Sequence, residues 1–189
     1  MVLFDQLIDA IICRWRLITA NTRAIVLVHY GGVGCEMGPI VEIARTRKLA
    51  VIEDNAHGLF RKYLGKYLGT FGSLATQSFH ETENFTCGEG GALLINDERY
   101  IERAEIIWQK GTNRSRFIRG EVDKFRVDVG SSYLPSDTLV AFCWRSSTRA
   151  IFIQAARQRI WEHYYGGLED WARRNGVSMP VVPSNRTPA

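Results

Sequence analysis

Residues 24–58 read AIVLVHYGGVGCEMGPIVEIARTRKLAVIEDNAHG, and their pattern sets the architecture of the chain. Residues 24–29 form a continuous apolar and β-branched run, which is typical of a parallel strand covered on both faces. Over residues 36–48 the apolar positions recur at helical spacing, and a second buried strand is expected over 49–53. A strand, a helix and a strand in this order predict a β-α-β unit and hence an α/β fold.

Further elements are predicted on both sides of this unit. An amphipathic helix is expected over residues 3–15, a hairpin or extended excursion over 60–70, and strands over 74–79 and 92–95. Asp97 is placed to cap a helix that runs to about residue 109. After these elements we expect a functional or interface loop over 111–135, a helix beginning near Ser136 or Asp137, a second helix through 151–168, and a frayed tail.

The composition indicates one globular core and excludes several classes of protein. With 46% hydrophobic residues among 189, the chain has enough apolar material for one domain of ordinary size. The net charge is +4, and the arginines are spread along the chain, which disfavours a nucleic-acid partner. The N-terminal apolar stretch is interrupted by charges and is too short to cross a membrane. The cysteines at positions 13, 35, 87 and 143 lie far apart, so we expect reduced thiols, no metal site and a cytoplasmic location.

Three glycines follow the first predicted strand and raise the alternative of a dinucleotide site. Gly32, Gly34 and the acidic Asp54 partly match the Gly-x-Gly-x-x-Gly fingerprint and its acidic partner, but Met37 occupies the place of the third glycine. The favoured interpretation is a plain tight turn.

Asp54 and His57 come directly after the second predicted strand. Open α/β sheets bind their ligands beyond the carboxyl ends of their strands, so this position is typical of a functional site. Taken alone, the aspartate could equally cap a turn, and the histidine could be solvated or satisfied in the core.

Two motifs carry a resemblance to a known family. Residues 51–58 read VIEDNAHG and residues 78–92 read SFHETENFTCGEGGA. Together they resemble the DegT/StrS family of sugar aminotransferases, over about residues 3–183. The resemblance implies a partial fold-type I large domain of the pyridoxal-phosphate-dependent transferases, with a mostly parallel sheet flanked by helices. It also implies pyridoxal phosphate as cofactor and transfer of an amino group from glutamate to a keto-sugar nucleotide.

Further matches narrow the resemblance to one branch. Residues 24–30, 35–37, 111–115 and 130–134 are similar to the branch that makes TDP-4-amino-4,6-dideoxygalactose from a TDP-4-keto-6-deoxy sugar. This branch serves enterobacterial surface polysaccharide, such as lipopolysaccharide and enterobacterial common antigen. The resemblance therefore implies a TDP-sugar and glutamate as substrates, and a homodimer.

The resemblance also assigns roles to individual residues. Asp54 would pair with the pyridine nitrogen, where a carboxylate keeps the ring protonated and able to accept electrons. His57 would contact the phenolic oxygen of the cofactor, and Ser78 its phosphate. Ser132 would reach that phosphate from the partner subunit of a dimer.

Glu83 occupies the position at which the family has its Schiff-base lysine. A carboxylate has no amine with which to form an imine, and its negative charge beside the phosphate and the phenolate adds repulsion. The nearest of the five lysines in sequence is Lys66, which lies more than fifteen residues away. Glu83 could still accept a proton, so catalysis by this chain is expected to be impaired.

Family members are about twice as long as this chain, so the resemblance implies truncation at both ends and the loss of part of the cofactor pocket. Residues 1–135 would belong to the cofactor-binding large domain, 136–180 to a helical segment leading toward a small domain, and 181–189 to the tail. Two interpretations remain open. The chain is either an impaired aminotransferase homologue that still binds cofactor or sugar nucleotide, or a non-catalytic remnant or self-associating interaction module.

Overall fold

The computed structural model describes residues 17–125 and 128–183. Its first two strands and the α-helix between them are β1 (Ala24–Val28), α1 (Met37–Arg47) and β2 (Ala50–Asp54). β1 and β2 pair in parallel, so the predicted β-α-β unit is confirmed. The helix predicted for residues 3–15 lies outside the described residues.

The sheet is completed by two later strands. A short antiparallel hairpin of β3 (Lys62–Tyr63) and β4 (Lys66–Tyr67) precedes β5 (Leu74–Ser78) and β6 (Gly91–Ile95). β5 pairs in parallel with β2, whereas β6 pairs antiparallel with β5. The strand order β1-β2-β5-β6 gives the mostly parallel sheet that was predicted, with one antiparallel edge strand.

The apolar core lies between this sheet, α1 and the β3–β4 hairpin. Met37 at the start of α1 is fully buried, and Leu27 on β1 is 3% exposed. Burying side chains of this size stabilises the fold by roughly 1.5–3 kcal/mol each. The cluster consists of Leu27, Met37, Ile40, Ala44, Val51, Tyr63 and Leu68.

A buried polar pair joins the sheet to its loops. The Glu53 carboxylate accepts hydrogen bonds from the backbone N–H groups of Gly69, Phe71 and Gly72 at 2.8, 2.7 and 2.6 Å. Its Oε2 also lies 2.9 Å from Nε2 of His29, and both side chains are fully buried. Burial alone would raise the pKa of Glu53, but the hydrogen bonds from His29, Gly72 and Gly69 together hold it below the usual value.

The remaining elements are helical. Asp97 accepts a hydrogen bond from the Arg99 N–H, but it caps a short 3-10 turn and not the helix itself. The predicted loop over 111–135 contains a short helix, and the two C-terminal helices begin where the pattern placed them, with Ser136 as the N-cap of the first. The helices are α2 (Ile101–Trp108), α3 (Arg114–Ile118), α4 (Asp137–Ser147) and α5 (Ala150–Asn175).

A hydrogen bond ties α5 to the residue that precedes the β3–β4 hairpin. Nη2 of Arg61 donates to Oε1 of Gln154 on α5 at 2.6 Å, and Arg61 is only 7% exposed. Burial lowers the pKa of Arg61, and the positive charge of Arg157 adds to this effect. Among the described residues, no helix is long and apolar enough to cross a membrane.

Candidate functional site

Three loops meet at one edge of the sheet. β1, β2 and β5 are mutually parallel, so their carboxyl ends share that edge. The loops that leave them carry residues 29–35, 55–58 and 79–90. This is the edge at which open α/β sheets bind ligands.

Asp54 is the last residue of β2 and is partly exposed at this edge. Its Oδ1 accepts a hydrogen bond from the Ala56 N–H at 3.1 Å, which fixes the direction of the side chain. The following residue, Asn55, is buried and donates to Oε1 of Gln77 on β5 at 3.0 Å. The end of β2 is therefore linked to β5 by a hydrogen bond, which holds the backbone at Asp54 in place.

His57 is held by the turn after β1. Its Nδ1 accepts a hydrogen bond from the Gly31 N–H at 3.1 Å, and its ring meets that of Tyr30 edge to face at 5.5 Å. Because Nδ1 is an acceptor in this contact, the neutral ring carries its proton on Nε2. The Nε2–H group thus points away from the turn and is available to a ligand or a neighbouring acid.

Glu83 lies beside the free nitrogen of His57. Oε2 of Glu83 is 3.9 Å from Nε2 of His57, and the Glu83 side chain is only 10% exposed. A backbone hydrogen bond of 3.0 Å from the Glu83 N–H to the His80 carbonyl makes the turn that presents this side chain. The distance exceeds that of a hydrogen bond, so the contact is an electrostatic one.

Ser78 ends β5 on the same edge. Its hydroxyl accepts a hydrogen bond from the His80 N–H at 3.3 Å and retains its own proton as a donor. Where this loop ends, the backbone passes close to β5, because a Cβ on Gly91, the first residue of β6, would lie 2.8 Å from the Gln77 carbonyl oxygen. The glycine in that position allows the loop to stay close to the strand end.

The buried pair beneath the site supports it. His29 directly follows β1, and its Nδ1 accepts a hydrogen bond from the Cys35 N–H at 3.2 Å. Its Nε2 therefore carries the proton shared with Glu53. These contacts brace both ends of the turn that contains Gly31, and Gly31 in turn holds His57.

Ser132 is not part of this group of side chains. It forms an isolated antiparallel bridge with Gln109 at the end of α2 and is exposed. Its role toward a partner subunit stays a prediction. Among the described residues no group of three or more metal-ligating side chains is close enough to hold a metal ion.

The structure brings Asp54, His57 and Glu83 to one end of the sheet, with Ser78 on the neighbouring strand end, but the cofactor roles of these residues stay predictions. Sequence reasoning gave no role to Tyr30, or to Asn84, whose Nδ2 donates to the His57 carbonyl at 3.5 Å. It also missed Glu53, although a charged residue inside an apolar strand was a usable signal. The glycines after β1 form the plain turn that was favoured: the Gly32 N–H donates to the His29 carbonyl at 3.1 Å, and Gly31 and Gly32 have positive φ angles of 59° and 73°.

Two GDP-perosamine synthases resemble this chain, one over most of its length and one over nearly half. A GDP-perosamine synthase from Caulobacter vibrioides is 40% identical over 166 residues, which are 88% of this chain and 43% of that protein. A GDP-perosamine synthase from Escherichia coli O157:H7 is 48% identical over 86 residues, which are 46% of this chain and 24% of that protein. The chain thus spans less than half the length of these relatives.

Solved structures show the same fold. The X-ray structure of an aminotransferase from Psychrobacter cryohalolentis superposes with a TM-score of 0.79 at 23% identity, covering 90% of this chain and 46% of that one. The α/β fold of the aminotransferases is therefore confirmed. The model of the DegT/DnrJ/EryC1/StrS aminotransferase family matches residues 15–186, and this chain belongs to that family.

Proposed function

We propose that this chain is a sugar-nucleotide aminotransferase homologue that keeps a polar cradle for pyridoxal phosphate but has lost the covalent attachment on which amino transfer depends. One observation carries the proposal. The carboxylate of Glu83, which by resemblance stands where the family has its lysine, is 10% exposed and lies 3.9 Å from Nε2 of His57.

The residues present fit the non-covalent contacts of this cofactor. When bound, the cofactor supplies a ring that stores the electrons released from a substrate. Asp54 would hold the proton on the ring nitrogen, the Nε2–H of His57 would donate to the phenolic oxygen, and the hydroxyl of Ser78 would donate to the phosphate. Each of these groups has a hydrogen bond that orients it within the chain.

The residues do not fit the covalent contact. All five lysines lie in the described part of the chain, and none of their amines forms an ion pair with Glu83 there. Lys62 and Lys66 lie over the rings of Tyr67 and Phe71 in and after the β3–β4 hairpin, at 4.5 and 4.6 Å. We therefore propose that the chain cannot complete the ordinary amino-transfer cycle.

Family membership supports a sugar nucleotide as the class of ligand. The motifs support a particular nucleotide and sugar. We propose a TDP-4-keto-6-deoxy sugar and glutamate, on the similarity of residues 111–115 and 130–134, with a role in surface polysaccharide synthesis in the cytoplasm. The two relatives named above are GDP-perosamine synthases, so the nucleotide base is the discriminating feature. Calorimetric titration with TDP and with GDP would test it, and tighter binding of GDP would contradict the proposal.

Absorption spectroscopy tests the loss of covalent attachment. After addition of pyridoxal phosphate we expect no imine band near the visible region from the unmodified chain, and a weak band from Glu83→Lys. Glu81→Lys is the matched control, because Glu81 is exposed on the same loop and an amine there points to solvent. A strong band from the unmodified chain, assigned to any of its lysines by peptide mapping after reduction, would contradict the proposal.

A second candidate function is self-association through the two C-terminal helices. Large apolar side chains on α4 and α5 are open to solvent, among them Trp144 at 73% and Ile151 at 88% exposed. Contiguous exposed apolar surface of this kind marks interaction sites. Gel filtration at several concentrations would test it, and a monomer at every concentration would exclude it.

A further inference from the structure

Glu83 presents a carboxylate at this edge of the sheet. Its side chain is 10% exposed, and its Oε2 lies 3.9 Å from Nε2 of His57. Among the described residues no backbone or side-chain donor hydrogen bonds to its carboxylate oxygens. The side chain is mostly enclosed while its carboxylate stays open to a ligand, and a donor or a cation that meets this carboxylate would be stabilising.

The His57 ring is held in place and does not lie within hydrogen-bonding distance of Glu83. Its ring is anchored by the Gly31 N–H at 3.1 Å on one side and by the edge-to-face contact with Tyr30 on the other. Its carbonyl is also held by Asn84 at 3.5 Å. An anchored imidazole and a carboxylate that accepts no hydrogen bond from the described residues therefore lie side by side at the carboxyl edge of the sheet.

The two forms of the proposed cofactor differ in the chemical group that they would place beside Glu83. The aldehyde form, pyridoxal phosphate, presents a carbonyl oxygen, which is an acceptor and gains nothing from a carboxylate. The amine form, pyridoxamine phosphate, presents a protonated amine, which can donate to Glu83 in a charge-assisted hydrogen bond. With a lysine at this position the preference would reverse, because the aldehyde would bond to the lysine amine.

Resting on the function proposed above, we infer that Glu83 makes this site selective for pyridoxamine phosphate over pyridoxal phosphate. A hydrogen bond between charged groups in a partly buried site corresponds to about a 10- to 100-fold difference in dissociation constant. Asp54 and Ser78 would contact both forms alike and contribute no selectivity.

Equilibrium binding tests the inference without any measurement of activity. Pyridoxamine phosphate, pyridoxal phosphate and pyridoxine phosphate are titrated separately into the full chain, and binding is followed by calorimetry. Pyridoxine phosphate carries a neutral hydroxyl in place of the amine, and it avoids the reaction of the aldehyde with surface lysines. We expect the unmodified chain to bind pyridoxamine phosphate about 10- to 100-fold more tightly than the other two.

Two variants separate the charge of Glu83 from its shape. Glu83→Gln keeps the size of the side chain and removes its charge, so we expect the three ligands to bind within about threefold of one another. Glu81→Gln removes a charge from the exposed part of the same loop and should keep the selectivity. Circular dichroism of each variant verifies that the fold is unchanged.

The outcomes are distinct. Equal or tighter binding of pyridoxine phosphate by the unmodified chain, or selectivity that persists in Glu83→Gln, overturns the inference and leaves the cofactor cradle intact. Binding of none of the three ligands by the unmodified chain and by Glu83→Gln overturns the proposed function, and the inference with it.

Discussion

The sheet region and the two C-terminal helices differ sharply in what they bury. In the sheet region Leu27 is 3% and Val51 4% exposed, and even charged Glu53 is fully enclosed. On α4 and α5 the buried residues among those described are the two alanines at positions 150 and 172. Both regions have apolar residues at suitable spacing, so the difference arises from packing partners. The sheet has a helix and a hairpin to pack against, whereas most of the apolar surface of α4 and α5 faces solvent.

The largest expected effect comes from Glu53→Ala. This change leaves the donors on His29, Gly69, Phe71 and Gly72 without their shared acceptor inside the protein. We expect a loss of about 3–5 kcal/mol in the free energy of unfolding, measured by urea denaturation. Glu42→Ala is the matched control, because within the described residues Glu42 forms its ion pair with Arg45 on the exposed face of α1. A Glu53→Ala protein as stable as the control would contradict the role assigned to the buried carboxylate.

A smaller effect is expected from shortening a core side chain. Leu27→Ala removes a buried side chain from the cluster between β1 and α1, which costs about 2–5 kcal/mol when the cavity does not collapse. Ile151→Ala removes a side chain that is 88% exposed, so we expect a change within about 0.5 kcal/mol. Equal losses in the two variants would show that α5 packs as tightly in solution as the sheet does.

The pH dependence of the free energy of unfolding should also show the contribution of the Glu53 carboxylate. Burial alone would raise the pKa of Glu53, but the hydrogen bonds that its carboxylate accepts outweigh this effect and hold the pKa in the folded chain below its usual value of 4.5. Its stabilisation is therefore fully present above about pH 4.5 and is lost as the pH falls through the lower, folded-state pKa. We expect Glu53→Gln to flatten the decline of unfolding free energy below this pH. Glu42→Gln should leave it nearly unchanged, and an equal flattening in both would contradict the assignment.

The sequence predicts the local parts of this fold well. The continuous apolar runs locate β1 and β2, and the helical spacing locates α1 within a residue or two of its ends. The direction of β6 was not predictable, because a strand's composition does not state which way its neighbour runs. The helix Arg114–Ile118 was missed because five residues show no recognisable period.

The candidate site was predictable only where its residues lie in a motif. Asp54 and His57 lie at the end of a predicted strand. Glu83 lies in the second motif, at the position where the resemblance implies a lysine. The contact of His57 with Tyr30 and Gly31 joins residues 26 or 27 apart, and the enclosure of Glu53 joins residues up to 24 apart. Such contacts depend on how β1, β2 and the loops fold together, which no local pattern specifies.

The smallest predicted effect concerns glycine in the two regions. Gly167 lies inside α5, and a Cβ at this position meets nothing within 4 Å. Gly167→Ala should therefore stabilise the helix by about 1 kcal/mol, since alanine restricts the unfolded chain and glycine is a poor helix former. The contrast is Gly72→Ala, where a Cβ would lie 2.5 Å from the backbone oxygen of Val51 and must destabilise the sheet.

The location of the Gly167→Ala effect matters more than its size. Since α5 buries only Ala150 and Ala172 among its described residues, we expect it to open separately from the sheet. Hydrogen exchange should then slow at the amides of α5, with no change at those of β1 and β2. Slower exchange in both regions would mean that helix and sheet unfold as one unit, and the exposed apolar face of α5 would then be covered in solution, as self-association predicts. Repeating the exchange at low protein concentration separates these cases, because protection that comes from association disappears on dilution.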